Sequence, residues 1–218
     1  MISLPLAADE VHSWCVPLDL PPDDLVSTLA EEEHDRSARF NFDRDRRRYV
    51  VAHGALRSLL GSYLGIHPRQ VRFSVNEFGR PELSPDHGSR LRFNLSHSAD
   101  LALIAIAPDV DIGVDVEHIR PGPDYSDIAR HFFSEEEVRE LDGIPSHLLA
   151  GAFFRCWTQK EAYVKARSEG FGIPLTSFSV SHLQEAWSVY MLEPAPGYVG
   201  AVAIERRAWR LSQRHWPS

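Results

Sequence analysis

The sequence predicts an α+β fold, and three features carry that expectation. Short alternating segments over 71–75, 91–95 and 112–117, and the apolar run 101–107, follow one another with no helix between them. Two long stretches, 44–64 and about 146–168, read instead as helices. Strands that cluster rather than alternate with helices argue against a doubly wound α/β sheet.

From the N-terminus, 11–18 reads as a first strand. Pro21-Pro22-Asp23-Asp24 then punctuates the chain and offers an N-cap for a helix running through Glu31, Glu32 and Glu33. In 44–64, Val51, Ala55 and Leu59 recur at helical spacing, and either Gly65 or His67-Pro68 ends the helix. Val71, Phe73 and Val75 alternate with polar residues and lead into the turn-like Asn76-Glu77-Phe78-Gly79. Leu91, Phe93 and Leu95 alternate again, and LALIAIA at 101–107 has the length and composition of a buried strand. Pro108-Asp109 is the candidate boundary, dividing the chain into 1–108 and 109–218.

Beyond that boundary, Ile112, Val114 and Val116 alternate with Gly113, Asp115 and Glu117. A loop around Pro121 and Pro123 precedes two helical stretches, the second opened by Ser134 and Glu137 at the spacing of a capping box. The helix over 146–168 is broken by Gly170-Phe171-Gly172-Ile173-Pro174, and strands over 178–180, 187–191 and 199–204 complete the tail.

Composition narrows the class of function. The 218 residues carry a net charge of −8, with 43% hydrophobic and 25% charged side chains. That is the profile of a soluble globular protein, and it argues against a general nucleic-acid binder, which needs a basic face. A polyanionic small ligand needs only a local cluster of cations. Two cysteines are few for a secreted chain, the start MISLPLAADE lacks the basic and apolar regions of a signal peptide, and no apolar run reaches membrane-spanning length. A cytoplasmic protein away from membranes is expected.

Four groups of residues carry candidate chemistry. Asp115 and Glu117, two apart on a strand, project to one face while Ile112, Val114 and Val116 take the other. Paired like charges repel unless a cation lies between them, and hard oxygen donors suit magnesium alongside substrate phosphates. In WTQKEAYVK at 157–165, Trp157, Glu161 and Lys165 fall on one helical stripe, so Glu161 could add a third carboxylate and Lys165 a cation for phosphate oxygens. Ser96 and His97, in FNLSHS at 93–98, end an alternating strand where small polar groups and backbone N–H meet anions. Arg44, Arg46, Arg47 and Arg48 crowd one helix start and Arg80 sits in the turn FGRPEL, where guanidinium groups can hold phosphates. Each feature alone has an ordinary explanation as a solvated face or a turn. No Walker-type loop, dinucleotide fingerprint or G-x-S-x-G is present.

Taken in order, FGRPEL, FNLSHS, GVDVE, RHFFSEEE and WTQKEAYVK resemble the Sfp-type 4′-phosphopantetheinyl transferases, over about residues 39–180. The resemblance implies a pseudo-dimer of two similar α+β halves with coenzyme A in the cleft between them. It implies that Asp115, Glu117 and Glu161 hold Mg2+ against the pyrophosphate and that Lys165 touches the phosphates. By the same likeness Ser96 and His97 lie beside the pyrophosphate and the 3′-phosphate, Arg80 by the adenosine, and Arg48 on the 3′-phosphate. The segment 31–39 departs from relatives that carry lysines there, and Arg36 or Arg39 stands in their place. The activity implied is transfer of the 4′-phosphopantetheine arm to a serine of an apo acyl, peptidyl or aryl carrier protein, with Glu161 as base and 3′,5′-ADP released. Fatty-acid, polyketide and nonribosomal-peptide carriers all remain open, and a monomer is expected. Two rivals keep the same residues: a metal-dependent hydrolase of coenzyme A or a related nucleotide, and a binding module whose carboxylates are structural.

Overall fold

The strand β5 (Leu101–Pro108) is buried along nearly its whole length, which a sheet achieves only when both faces are covered. Its even residues Ala102, Ile104 and Ile106 pack with Leu56, Leu59 and Leu60 of the helix α3 (Asp43–Leu64). Its odd residues Leu101, Leu103 and Ala105 face Val114, Val116, Val202 and Ile204 of a second sheet. A computed structural model describes residues 4–122, 124–167, 172–205 and 209–217 of the chain. Within them the α+β class holds, as a stack of helix, sheet, sheet and helix.

The first sheet has the order β4-β5-β1-β9, with β4 at Leu91–Ser98, β1 at Glu10–Pro17 and β9 at Arg210–His215. The second has the order β6-β8-β7, with β6 at Ile112–His118, β8 at Tyr198–Glu205 and β7 at Trp187–Leu192. A small hairpin joins β2 (Phe73–Val75) to β3 (Pro81–Leu83) through the expected turn at Asn76, whose side chain accepts from the backbone N–H of Phe78 and Arg80. Helix α6 (Ser146–Arg167) covers the outer face of the second sheet, where Ala162 and Ala166 meet Ala201 and Ala203. No helix among the described residues is long and apolar enough to cross a membrane.

Several expectations are corrected in detail. The helix expected from Asp23 onward is two: a single turn α1 (Asp23–Val26) and then α2 (Glu31–Ala38). The chain turns between them to bury Leu25 and Leu29, and the Glu33 carboxylate accepts from the Ala30 N–H at the start of α2. Gly65, at φ 68°, ends α3 in the left-handed conformation that glycine adopts without strain. The strand expected at 178–180 does not form. There the Phe178 carbonyl accepts from Lys160 and the Val180 N–H donates to Glu137, so side chains take the groups a ladder would need. The strand β9 was not foreseen, because Arg210–His215 is polar and half-exposed; it runs parallel to β1 and pairs Glu10 with Arg210 and Cys15 with His215. Of the segment expected to break the long helix, Gly170 and Phe171 lie outside the described residues.

The helices after β6 match expectation: α4 (Tyr125–Phe132) and α5 (Glu135–Asp142), the latter opened by a capping box in which Ser134 Oγ accepts from the Glu137 N–H and Glu137 accepts from the Ser134 N–H.

Candidate active site

Alternation along β6 puts Gly113, Asp115 and Glu117 on one face and Ile112, Val114 and Val116 on the other. The first face looks onto α6, not onto solvent. A Cβ at Gly113 would lie 2.0 Å from the Ala162 carbonyl oxygen and 2.4 Å from the Ala166 nitrogen, so only glycine lets helix and strand approach this closely. The approach presses the helix turn that bears Glu161 and Lys165 against the strand that bears two carboxylates.

Lys165 Nζ donates to Asp115 Oδ1 at 2.6 Å and to Ser96 Oγ at 3.1 Å. Ser96 Oγ in turn donates to the same Asp115 oxygen at 2.8 Å. Asp115 is only 4% exposed, and its Oδ2 is buried with no hydrogen-bond partner among the described residues. An unsatisfied buried carboxylate oxygen costs free energy, so its persistence points to a ligand. Glu117 Oε2 accepts from Ser98 Oγ at 2.6 Å.

Burial pushes the Glu161 carboxyl above the usual carboxylate range; Lys165 works against this, while the nearby Asp115 and Glu117 charges add to it. Glu117 is pushed the same way by burial and by Asp115, against the opposing bond from Ser98. Two buried carboxyls, Glu161 and Glu117, thus bind a proton more readily in the presence of the Asp115 charge, an arrangement that suits a cation.

On the far side of Ser96 lie the cations. His97 is exposed, yet the surrounding protein and then the charges of His53, Lys165 and Arg48 hold its ring below the usual histidine range. Arg48 reaches the β4–β5 turn and donates to Asp100 Oδ1 at 2.5 and 3.0 Å. This is an ion pair with a 58% exposed partner, weak enough to exchange for a phosphate. Arg44, Arg46 and Arg47 are exposed, and the first two pair with Asp45 and Asp43. Arg36 and Arg39, singled out from the departure at 31–39, line one cleft of about 620 Å³ together with Glu32, Asp35 and Phe40. Beside it His53 stacks on Tyr49 at 4.0 Å, a pair that nothing in the sequence marks.

Arg80 is placed differently from the other site residues. Its guanidinium donates to the carbonyls of Lys165 at 2.7 Å, Ile112 at 2.6 Å and Phe93 at 3.2 Å, which ties α6, β6 and β4 together. Trp157, on the Glu161–Lys165 stripe, packs among Phe132, Phe133 and Phe153 and anchors that stretch of α6. Nothing in the sequence marks Lys160. It is fully buried, donating to Glu137 Oε2 at 2.5 Å and to the Phe178 carbonyl at 2.6 Å, with its ammonium 4.2 Å from the Phe178 ring centre. The RHFFSEEE and WTQKEAYVK motifs thus meet through one buried ion pair.

Among the described residues no three His, Cys, Asp or Glu side chains stand close enough to form a ready cation cage. Magnesium does not require one, since it binds through one or two carboxylates and keeps waters and substrate phosphates in its other positions. The unpartnered Asp115 oxygen and the hard oxygen set of Asp115, Glu117 and Glu161 fit that mode.

Comparison with known proteins identifies the family. The family model described as 4′-phosphopantetheinyl transferase superfamily matches residues 111–198, and one described as 4′-phosphopantetheinyl transferase, N-terminal, matches residues 19–109. The chain is 41% identical to the 4′-phosphopantetheinyl transferase HetI of Nostoc sp., over 98% of this chain and 95% of that protein. It is 30% identical to the 4′-phosphopantetheinyl transferase Sfp of Bacillus subtilis, over 72% of this chain and 67% of that protein. It is 28% identical to an L-aminoadipate-semialdehyde dehydrogenase-phosphopantetheinyl transferase of Pongo abelii, over 69% of this chain and 52% of that protein. The chain belongs to the 4′-phosphopantetheinyl transferase family.

Proposed function

We propose that this protein moves the 4′-phosphopantetheine arm of coenzyme A onto a serine of an apo acyl, peptidyl or aryl carrier protein, in a magnesium-dependent reaction that releases 3′,5′-ADP. The observation that carries the reading is the contact among Lys165, Ser96 and Asp115, with the second Asp115 oxygen lacking a partner among the described residues beside two further carboxylates.

In the transfer the serine oxygen forms a bond to the β-phosphorus of coenzyme A, and the bond from that phosphorus to the 3′,5′-ADP oxygen breaks. Charge stabilisation and alignment dominate such a step. Glu161 accepts the serine proton, directly or through a water, and burial beside Asp115 and Glu117 raises its affinity for that proton. Lys165 holds positive charge at the phosphate oxygens. Ser96, His97 and Arg48 bind and orient the pyrophosphate and 3′-phosphate. Asp115, Glu117 and Glu161 would hold the magnesium ion, which supplies charge neutralisation at the pyrophosphate. For Arg80, three carbonyl contacts support a tying role ahead of direct contact with the adenosine.

The family models abut at residues 109 and 111, which supports dividing the chain into halves 1–108 and 109–218 around the cleft. The reading includes a cytoplasmic monomer that acts away from membranes, and the net charge of −8 supports a protein that is not a general nucleic-acid binder.

Release of 3′,5′-ADP, followed by chromatography with and without apo carrier protein, tests the choice of acceptor. Release that requires both carrier and magnesium is expected. Equal release without carrier would replace the transferase by a hydrolase.

A further inference from the structure

The two strands that frame the site belong to different sheets, and side chains of β4 join them. Asn94, Ser96 and Ser98 alternate along β4 with Phe93 and Leu95, which pack toward α3. Asn94 Oδ1 accepts from the Val114 N–H at 2.9 Å, and Ser98 Oγ accepts from the His118 N–H at 3.2 Å. Polar side chains of β4 thus take the place of a ladder along β6. Ser96 belongs to the proposed phosphate and metal cluster already described. Ser98 lies outside that set.

We infer that Ser98 is a positioning residue for Glu117. Its hydroxyl proton goes to Glu117 Oε2 at 2.6 Å while its oxygen receives the His118 N–H, so one hydroxyl fixes the carboxylate relative to its own strand. A hydroxyl has one proton to give, and here it goes to the carboxylate. With Oε2 held by Ser98, Oε1 is the Glu117 oxygen left to face the site. The inference rests on the proposed reading of Glu117 as a magnesium ligand. In metal sites the groups that orient a ligand matter nearly as much as the ligand itself, and losing one typically lowers metal affinity about 10–100-fold.

The test compares the wild-type protein with Ser98→Ala and Ser98→Thr. Three quantities are read: Mn2+ binding by electron paramagnetic resonance, the Mg2+ concentration for half-maximal transfer, and the melting temperature in EDTA. Ser98→Ala is expected to weaken Mn2+ binding and raise the Mg2+ midpoint by about tenfold or more. Ser98→Thr keeps the hydroxyl and is expected to restore both. Should Ser98→Ala fail to fold, Ser98→Cys, a weaker donor of similar size, carries the same comparison. A lower melting temperature with unchanged Mn2+ affinity and Mg2+ midpoint would make Ser98 a seam residue only and overturn the inference. So would a variant unchanged in all three. A wild-type protein that binds no Mn2+ and turns over equally in EDTA would overturn the metal reading itself, and the inference with it.

Discussion

Burial of Glu161 beside Asp115 and Glu117 raises its affinity for a proton, and by linkage the same cause makes the ionised group unfavourable in the folded state. A carboxyl whose folded pKa lies above its unfolded value contributes stability below the unfolded pKa, near 4.5, and that contribution is lost as pH rises through the folded pKa. Without metal, the group therefore lowers the stability of the fold at pH values above its unfolded pKa. Glu161→Gln is expected to reduce transfer by about 10²–10⁴-fold, yet to melt higher than wild type in EDTA at neutral pH. That margin should shrink as the pH is lowered toward 4.5. Differential scanning fluorimetry across pH, run beside a transfer assay, checks both halves. Glu137 behaves in the opposite sense. Burial raises its pKa, but the Lys160 bond and the N–H groups of Val180 and Ser134 outweigh it and bring it below the usual value. Its stabilising share is present above about 4.5 and lost as pH falls through the lower folded value. Lys160→Met strands that carboxylate in the interior and is expected to cost about 3–5 kcal/mol in chemical denaturation. These pairings explain what could be read from single residues. Asp115, Glu117, Glu161 and Lys165 are candidates by type and spacing and become a set through the resemblance of the ordered motifs, whereas Lys160 looks like any helix lysine until Glu137, 23 positions away, is brought to it.

At the scale of elements, the site depends on how closely α6 lies on β6. Gly113→Ala would drive a methyl into the helix backbone at Ala162 and Ala166, so helix and strand must separate. A destabilisation of about 3 kcal/mol or more is expected. Displacing Glu161 by even about 1 Å is expected to lower kcat by about 10²-fold. Gly65→Ala is the contrast: it strains a left-handed helix end in open space, costs about 1 kcal/mol, and leaves kcat unchanged. Melting curves and steady-state kinetics on the two variants separate packing at the site from backbone strain elsewhere. Most elements were legible, since α3 and β6 follow from periodicity, β5 from its length and apolar composition, and the Ser134–Glu137 capping box marks the start of α5. What escaped was decided by partners distant in the chain. The segment 178–180 has strand-like residues, but its polar backbone is claimed by Lys160 and Glu137. The segment Arg210–His215 lacks an apolar alternation, yet pairs with β1 about 200 positions earlier in the sequence.

For the whole molecule, two sheets packed face to face are capped by α3 on one side and α6 on the other, and the site opens where β4 meets β6 along their shared seam. Asp115, Glu117, Glu161 and Lys165 come from the second sheet and its helix, while Ser96, His97 and Arg48 come from the first sheet and its helix. That division suits a ligand with a pyrophosphate at one end of the seam and a further phosphate toward α3. The central claim is tested most directly by the intact mass of an apo acyl or peptidyl carrier protein after incubation with this protein, coenzyme A and magnesium, against an EDTA control. The account predicts a gain of about 340 Da, the phosphopantetheinyl group, in the presence of magnesium and none in EDTA. No gain on any carrier type, with coenzyme A bound but unconsumed, would contradict it and leave a binding protein in its place.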